Sequence, residues 1–196
     1  MKQAKKNIFR PLFVLALLLS FFSTQSPGED SVNRRFMVTT GGNFFSPSQI
    51  EYRQIYGKKI FMLEIKITGL VYRNFTAWGS FGLIGKDGLI EEIDETAHIR
   101  QTLISLGVGY RHRVNTLLRL RGELGLNYIS YNEEALDDAQ AGSGFGLKIG
   151  ANVDFLVSKS IFVTLTGAFG TAGDEAETGR IKLGGFQAGV ALGFAF

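Results

Sequence analysis

Histidine occurs twice in this chain, at His98 and His112, and cysteine not at all. A thiolate metal site, a disulfide scaffold and a cysteine nucleophile are therefore excluded, and so is a multi-histidine zinc centre. Nucleophilic chemistry is left to a serine and a histidine. If the connection near 113–115 is a tight turn, the segments on either side pair so that His98 faces Ser130. Glu95 and Glu133 would then lie close by. A base within reach of a hydroxyl, oriented by a carboxylate, is the arrangement of a serine esterase. The stronger reading is the plain one, since polar residues are ordinary at the end of a strand, and a register shift of two residues would separate the pair.

A second set of residues is charged and regularly spaced. Glu64, Lys66, Arg111, Arg119, Arg121, Glu123, Lys148 and Asp154 all fall on one parity of their segments. Facing one another, they would form either a salt-bridged plug or an anion-selective path. Unpaired buried charges cost several kcal/mol each, which favours the plug. A third set is acidic. Asp87, Glu91, Glu92, Asp94, Glu95, Glu133, Glu134, Asp137, Asp138, Asp174, Glu175 and Glu177 hold 12 of the 18 carboxylates in three short stretches. Their spacing is not that of an EF-hand, so solvated loop tips are expected, with divalent cations or a basic partner as possible company. His112 lies between Arg111 and Arg113 in a basic turn. The 25 glycines make no phosphate loop, and no cofactor or metal is expected.

The first residues have their own logic. Lys2, Lys5, Lys6 and Arg10 precede an apolar run of 10 residues, Phe13 to Phe22. A membrane-spanning helix needs about 20. The pattern is that of a secretory signal peptide over 1–28, cut before Glu29, with 29–34 as a short segment ahead of the main domain. Removal takes four of the 21 basic residues, leaving 17 against 18 acidic ones, a net of −1. The basic character of the whole chain is thus no argument for nucleic-acid binding. No later apolar run approaches 18 residues, so a helical membrane protein is not expected.

From about Arg35 the sequence has a period of two, the period of strands. Eight segments read as strands, roughly 35–45, 58–68, 74–85, 98–111, 116–131, 143–156, 160–170 and 181–196. One parity is apolar and bulky throughout, as in Phe61, Leu63, Ile65 and Ile67, or Leu118, Leu120, Leu124 and Leu126. The other carries the charged set above, Asn127, Asn152 and Gln187, and many glycines. An eight-stranded interior has no room for about forty mostly bulky side chains. The apolar parity must therefore face outward, into lipid, with the charged and small parity inside. A closed barrel is the β structure that satisfies its backbone in a bilayer. A soluble lipocalin-like barrel is the alternative. Aromatics on the outward parity fall into two groups, including Phe44, Phe61, Tyr128 and Phe145 at one end and Phe36, Phe75, Tyr110 and Phe196 at the other. Connections alternate, long near 46–57, 86–97, 132–142 and 171–180, short near 69–73, 112–115 and 157–159.

The last strand carries the sharpest motif. Gln187, Gly189, Leu192, Phe194 and the terminal Phe196 make a polar-x-Gly-x-x-apolar-x-apolar pattern. With it, residues 35–196 resemble the small outer-membrane β-barrel family, the eight-stranded OmpA/OmpX-like proteins of Gram-negative bacteria. The resemblance implies an all-β, antiparallel up-and-down transmembrane barrel in the bacterial outer membrane. It implies extracellular loops, periplasmic termini, and contact with outer-membrane lipid and lipopolysaccharide. The terminal motif is similar to the one that the family's barrel-assembly machinery reads. The family includes adhesins, structural anchors and lipid-modifying enzymes. The expected role is accordingly structural or surface-interacting and non-catalytic, with the Ser130–His98 lipid esterase as the alternative.

Overall fold

The computed structural model describes residues 35–90, 95–135, 138–176 and 179–196. The expected signal peptide and the segment 29–34 lie outside these residues, as do Glu91, Glu92, Asp94, Asp137 and Glu177. The side chains of Glu95, Asp138, Asp174 and Glu175 are likewise not described.

Eleven elements follow in order: β1 (Phe36–Pro47), α1 (Ile50–Tyr56), β2 (Ile60–Tyr72), β3 (Phe75–Ile90), β4 (Glu95–Arg113), β5 (Leu118–Ala135), β6 (Asp138–Leu156), β7 (Ile161–Gly170), β8 (Gly173–Ala176), β9 (Gly179–Lys182) and β10 (Gly185–Ala195). Neighbours from β1 to β7 pair antiparallel, and β10 pairs with both β7 and β1. Eight strands therefore close into an up-and-down barrel with no free edge in its wall. β8 and β9 form a small hairpin, attached to β6 at the Phe145↔Gly173 pair.

The parity read from the sequence holds in all eight wall strands. Leu126 is 65% exposed and its neighbour Asn127 1%. Leu63, Val108, Leu124, Ile149, Val190 and Leu192 stand outward with them, as a belt of apolar surface that water does not tolerate at this size. Such a belt is what a lipid-facing strand wall carries. Its two edges are aromatic. Toward α1, Phe44 packs on Phe61, Tyr128 on Phe145, and Phe169 pairs with Phe186. At the end that holds the termini, Phe36 stacks on Phe196 and Phe75 meets Tyr110 edge-on.

The connections differ from the sequence reading. Two of the long ones, 86–97 and 132–142, are mostly strand: β3 and β4 stay paired up to Ile90↔Glu95, and β5 and β6 up to Ala135↔Asp138. Pairing continues because Ile84, Ala97, Ile99, Leu103, Ile129 and Tyr131 supply an apolar inner face that these extensions bury. The connection after β1 contains α1, ended by Gly57 in the left-handed region at φ 91°. The fourth long connection is the β8–β9 hairpin.

Candidate functional site

The inner face is layered from the termini end to the α1 end. Met37, Phe162 and Ala195 form the first, apolar layer. The Phe162 ring occupies the space where Gly193 has no side chain, and a Cβ there would overlap it. The Arg119 guanidinium lies 4.9 Å from the centre of that ring.

Above it, Asp154 collects donors. Arg119 Nε donates to Oδ2 at 2.8 Å, Arg121 Nε to Oδ2 at 2.9 Å and Nη2 to Oδ1 at 2.9 Å, and Thr164 Oγ1 to Oδ1 at 2.8 Å. Asp154 is fully buried. The register explains the meeting, since Arg119 pairs across the strands with Asp154 and Arg121 with Asn152. Arg111, also buried, is the cross-strand partner of Arg121.

The next layer spans the lumen. Arg121 Nη1 reaches Glu123 Oε1 at 3.3 Å, and Lys66 Nζ reaches Glu123 Oε2 at 2.7 Å. Lys148 Nζ donates to Glu64 Oε1 at 2.9 Å, and Asn43 Nδ2 to Glu64 Oε2 at 2.9 Å. β2 and β6 lie on opposite walls of the ring, so the Lys148–Glu64 pair crosses it. Both lysines also face the Trp78 ring, at 5.4 and 5.9 Å from its centre. That ring lies over the Gly107↔Gly125 pair, where a Cβ on either glycine would come within 2.8 Å of it. Its Nε1 donates to the Val108 carbonyl at 3.0 Å. A cavity among Thr39, Lys66, Arg121 and Asn152 measures about 10 Å³, room for one water-sized body.

Toward α1 the interior becomes apolar, with Phe45, Ile60, Met62, Ile84, Ile99 and Ile129 packed together. Tyr52 and Tyr56 of α1 sit against this cluster. Tyr56 donates its hydroxyl to Glu133 at 2.5 Å. Burial, then the Glu133 carboxylate, pushes both phenols above their ordinary range.

All eight charged residues singled out from the sequence thus share one interior. The sequence reading missed four of their companions: Trp78, Asn43, Thr164 and the apolar cap under α1. Trp78 was detectable from its inward parity in β3.

The structure does not bring Ser130 and His98 together. His98 pairs with Glu134, and Ser130 with Thr102 and Ser143. The four-residue offset along β5 is about 13 Å. The cause is the turn. Asn115 Oδ1 accepts from the backbone N–H of Leu117 and Leu118, both at 2.8 Å, and Val114 N–H bonds the Leu118 carbonyl. This centres the connection two residues later than 113–115 places it. His98 Nδ1 contacts Asp87 across β3–β4, and Glu133 is engaged by Tyr56.

The terminal motif forms the closing strand. Gln187 points inward and is 1% exposed, while Leu192, Phe194 and Phe196 face outward. At Gly189, a Cβ would overlap the β1 backbone at Gly42 and Asn43.

No protein-family model and no curated protein sequence matches the chain. Solved structures do. Neisserial surface protein A superposes with a TM-score of 0.67 at 9% identity, over 87% of this chain and 100% of that one. The outer-membrane protein OprG of Pseudomonas aeruginosa gives 0.63 at 13%, over 86% and 99%. The N-terminal β-barrel domain of OprF from the same organism gives 0.58 at 14%, over 84% and 98%. The chain has the fold of the small outer-membrane β-barrels.

Proposed function

We propose that this chain is a bacterial outer-membrane barrel with a closed lumen and a structural or surface-interaction role, without catalysis. The observation that carries this reading is the Lys148–Glu64 pair, bridging opposite walls inside a barrel whose outside is apolar. Buried charges in a membrane span pair with one another or line a path. Here they pair, with Arg121, Glu123 and Asp154 extending the chain of contacts. In this reading the termini and short turns are periplasmic, and α1 with the tall β3–β4 and β5–β6 hairpins is extracellular. Outer-membrane lipid and lipopolysaccharide surround the wall. The barrel-assembly machinery reads the Gln187–Phe196 motif. Divalent cations or a basic partner meet the acidic tips.

The test is electrical. Purified barrel in a planar bilayer is expected to show no steady conductance. A persistent nanosiemens opening would overturn the closed lumen and make Arg119, Arg121 and Lys148 pore-lining. The esterase reading has no supporting geometry, because Ser130 and His98 are not partners.

A further inference from the structure

We propose that the rim at the termini end of the barrel binds the anionic headgroups of the phospholipids around it. That rim is built from the start of β1 and the β2–β3, β4–β5 and β6–β7 turns. Each piece carries one exposed cation, in that order Arg35, Arg73, Arg113 and Lys159. None of the four is in an ion pair among the described residues. The exposed carboxylates Asp87 and Glu134 lie at the α1 end, while Glu123 and Asp154 are buried in the lumen. The carboxylate at Phe196, where the chain ends, is one anion against these four cations.

Backbone bonds between neighbouring strands hold the pieces together. Leu70 N–H donates to the Arg35 carbonyl at 2.7 Å, Arg111 N–H to Asn74 at 2.8 Å, Leu156 N–H to Leu117 at 2.8 Å and Ala195 N–H to Ser160 at 2.7 Å. The cations are thus mounted on one bonded ring. Arg73 sits in the left-handed region at φ 48°, where glycine is the ordinary occupant, and its guanidinium lies 5.1 Å from the centre of the Tyr72 ring. Arg113 Nε donates to the Asn115 carbonyl at 3.1 Å.

Beside these cations stand exposed apolar side chains: Tyr72 next to Arg73, Val114 and Leu117 near Arg113, and Val157 near Lys159. Leu117 is 66% exposed and Val157 70%. Turns standing in water gain nothing from exposing such groups. At the depth where acyl chains give way to headgroups, the apolar groups continue the lipid-facing belt and the cations reach phosphate. Apolar and cationic groups side by side select a lipid over a soluble acidic partner. The excess of cations selects a net-negative headgroup over a zwitterionic one.

This rests on the membrane-barrel reading but fails separately from it, since conductance reports the lumen and headgroup preference reports the rim. A symmetric bilayer also offers both rims the same lipid, whichever way the barrel inserts. Barrel reconstituted in phosphatidylcholine vesicles is probed with spin-labelled phosphatidylglycerol and spin-labelled phosphatidylcholine. The phosphatidylglycerol label is expected to associate about fivefold more strongly, the worth of one basic residue near an anionic surface, and to lose that preference at high salt. The variant Arg35→Gln, Arg73→Gln, Arg113→Gln, Lys159→Gln should abolish it. The variant Lys58→Gln, Lys59→Gln, Lys86→Gln, Arg100→Gln removes exposed cations of the α1 end instead and should keep it. No preference in the wild type, or a preference lost only with the α1-end cations, would overturn the proposal. If the fourfold rim variant does not fold, the Arg35, Arg73 pair and the Arg113, Lys159 pair are replaced separately, and full preference in both would overturn it as well. A wild-type barrel without headgroup preference that sediments with purified peptidoglycan would assign the rim to the cell wall instead.

Discussion

Lys148 and Glu64 are 84 residues apart in sequence and meet across the barrel, Nζ to Oε1, at 2.9 Å. The contact forms only once β2 and β6 stand on opposite walls, so it reports closure of the whole ring rather than pairing of any two neighbouring strands.

Removing one partner should therefore be costly. Lys148→Met leaves Glu64 with the neutral donors Asn43 and Ser80 but without its direct cationic partner, and loss of one partner from a buried pair costs about 3–5 kcal/mol. Urea unfolding in detergent is expected to show this, with recovery of much of the loss in the double variant Lys148→Met, Glu64→Gln. A single variant as stable as wild type would mean that water reaches Glu64 freely.

The outer wall predicts a dependence on depth. Leu124 lies mid-strand and is 54% exposed, whereas Asn132 lies beyond the Tyr128–Phe145 aromatic edge. Leu124→Arg should cost about 2–4 kcal/mol in lipid and Asn132→Arg about 0–1. Equal shifts of the unfolding midpoint in phosphatidylcholine vesicles would place the apolar belt elsewhere.

These two cases show what was legible. Strand number, parity and the inward charged set follow from a period of two, which is local information and survives errors of a few residues at each end. Register does not. The offset between His98 and Ser130 depends on where one turn is centred, and that was set by Asn115 accepting from Leu117 and Leu118. The heights of the β3–β4 and β5–β6 hairpins were missed because polar residues there sit on the outward face. Ile84, Ile99, Leu103 and Ile129 keep the inner face apolar beyond the charged layers, in a pattern that looks the same as the lipid-facing one until the parity is followed through.

Trp78 fills the volume that two facing glycines leave. Gly125→Ala would set a Cβ against both the Trp78 ring and the Gly107 backbone. Overpacking of this kind costs about 1–3 kcal/mol. Gly122, which faces outward and has open space at its Cβ position, should accept alanine without loss. Tryptophan emission, from a single residue in the chain, gives the local readout. An unshifted spectrum and an unchanged midpoint for Gly125→Ala would refute the packing.

α1 should be sensitive to alkali. The Tyr52 and Tyr56 phenols are raised above the ordinary value near 10 by burial and by Glu133, so the folded state keeps protons that the unfolded chain gives up. Their contribution to stability is complete below about pH 10 and falls as pH rises above it. Tyrosinate absorbance should show two of the six tyrosines titrating late, and Tyr52→Phe with Tyr56→Phe should remove that late amplitude. Retention of the late amplitude in the double variant would assign it to other phenols.

Phe196 joins the two ends of the barrel. Its N–H donates to the Phe36 carbonyl at 2.9 Å, the Phe36 N–H returns a bond to the Phe196 carbonyl at 3.0 Å, and the rings stack with centres 6.1 Å apart. β1 and β10 are the most distant strands in sequence, so their pairing closes the largest loop and is the last to be rewarded during folding. Deleting Phe196 removes both backbone bonds and the stack, along with the end of the proposed assembly motif. Phe196→Ala keeps the backbone bonds and removes only the ring. If the ring is what the assembly machinery reads, both variants should lower the folded, heat-modifiable fraction in cells. Refolding of Phe196→Ala into detergent should then be nearly normal. If the bonds matter more, only the deletion should fail, and it should fail in detergent as well. Normal folding of both variants in both settings would remove Phe196 from any role in closure.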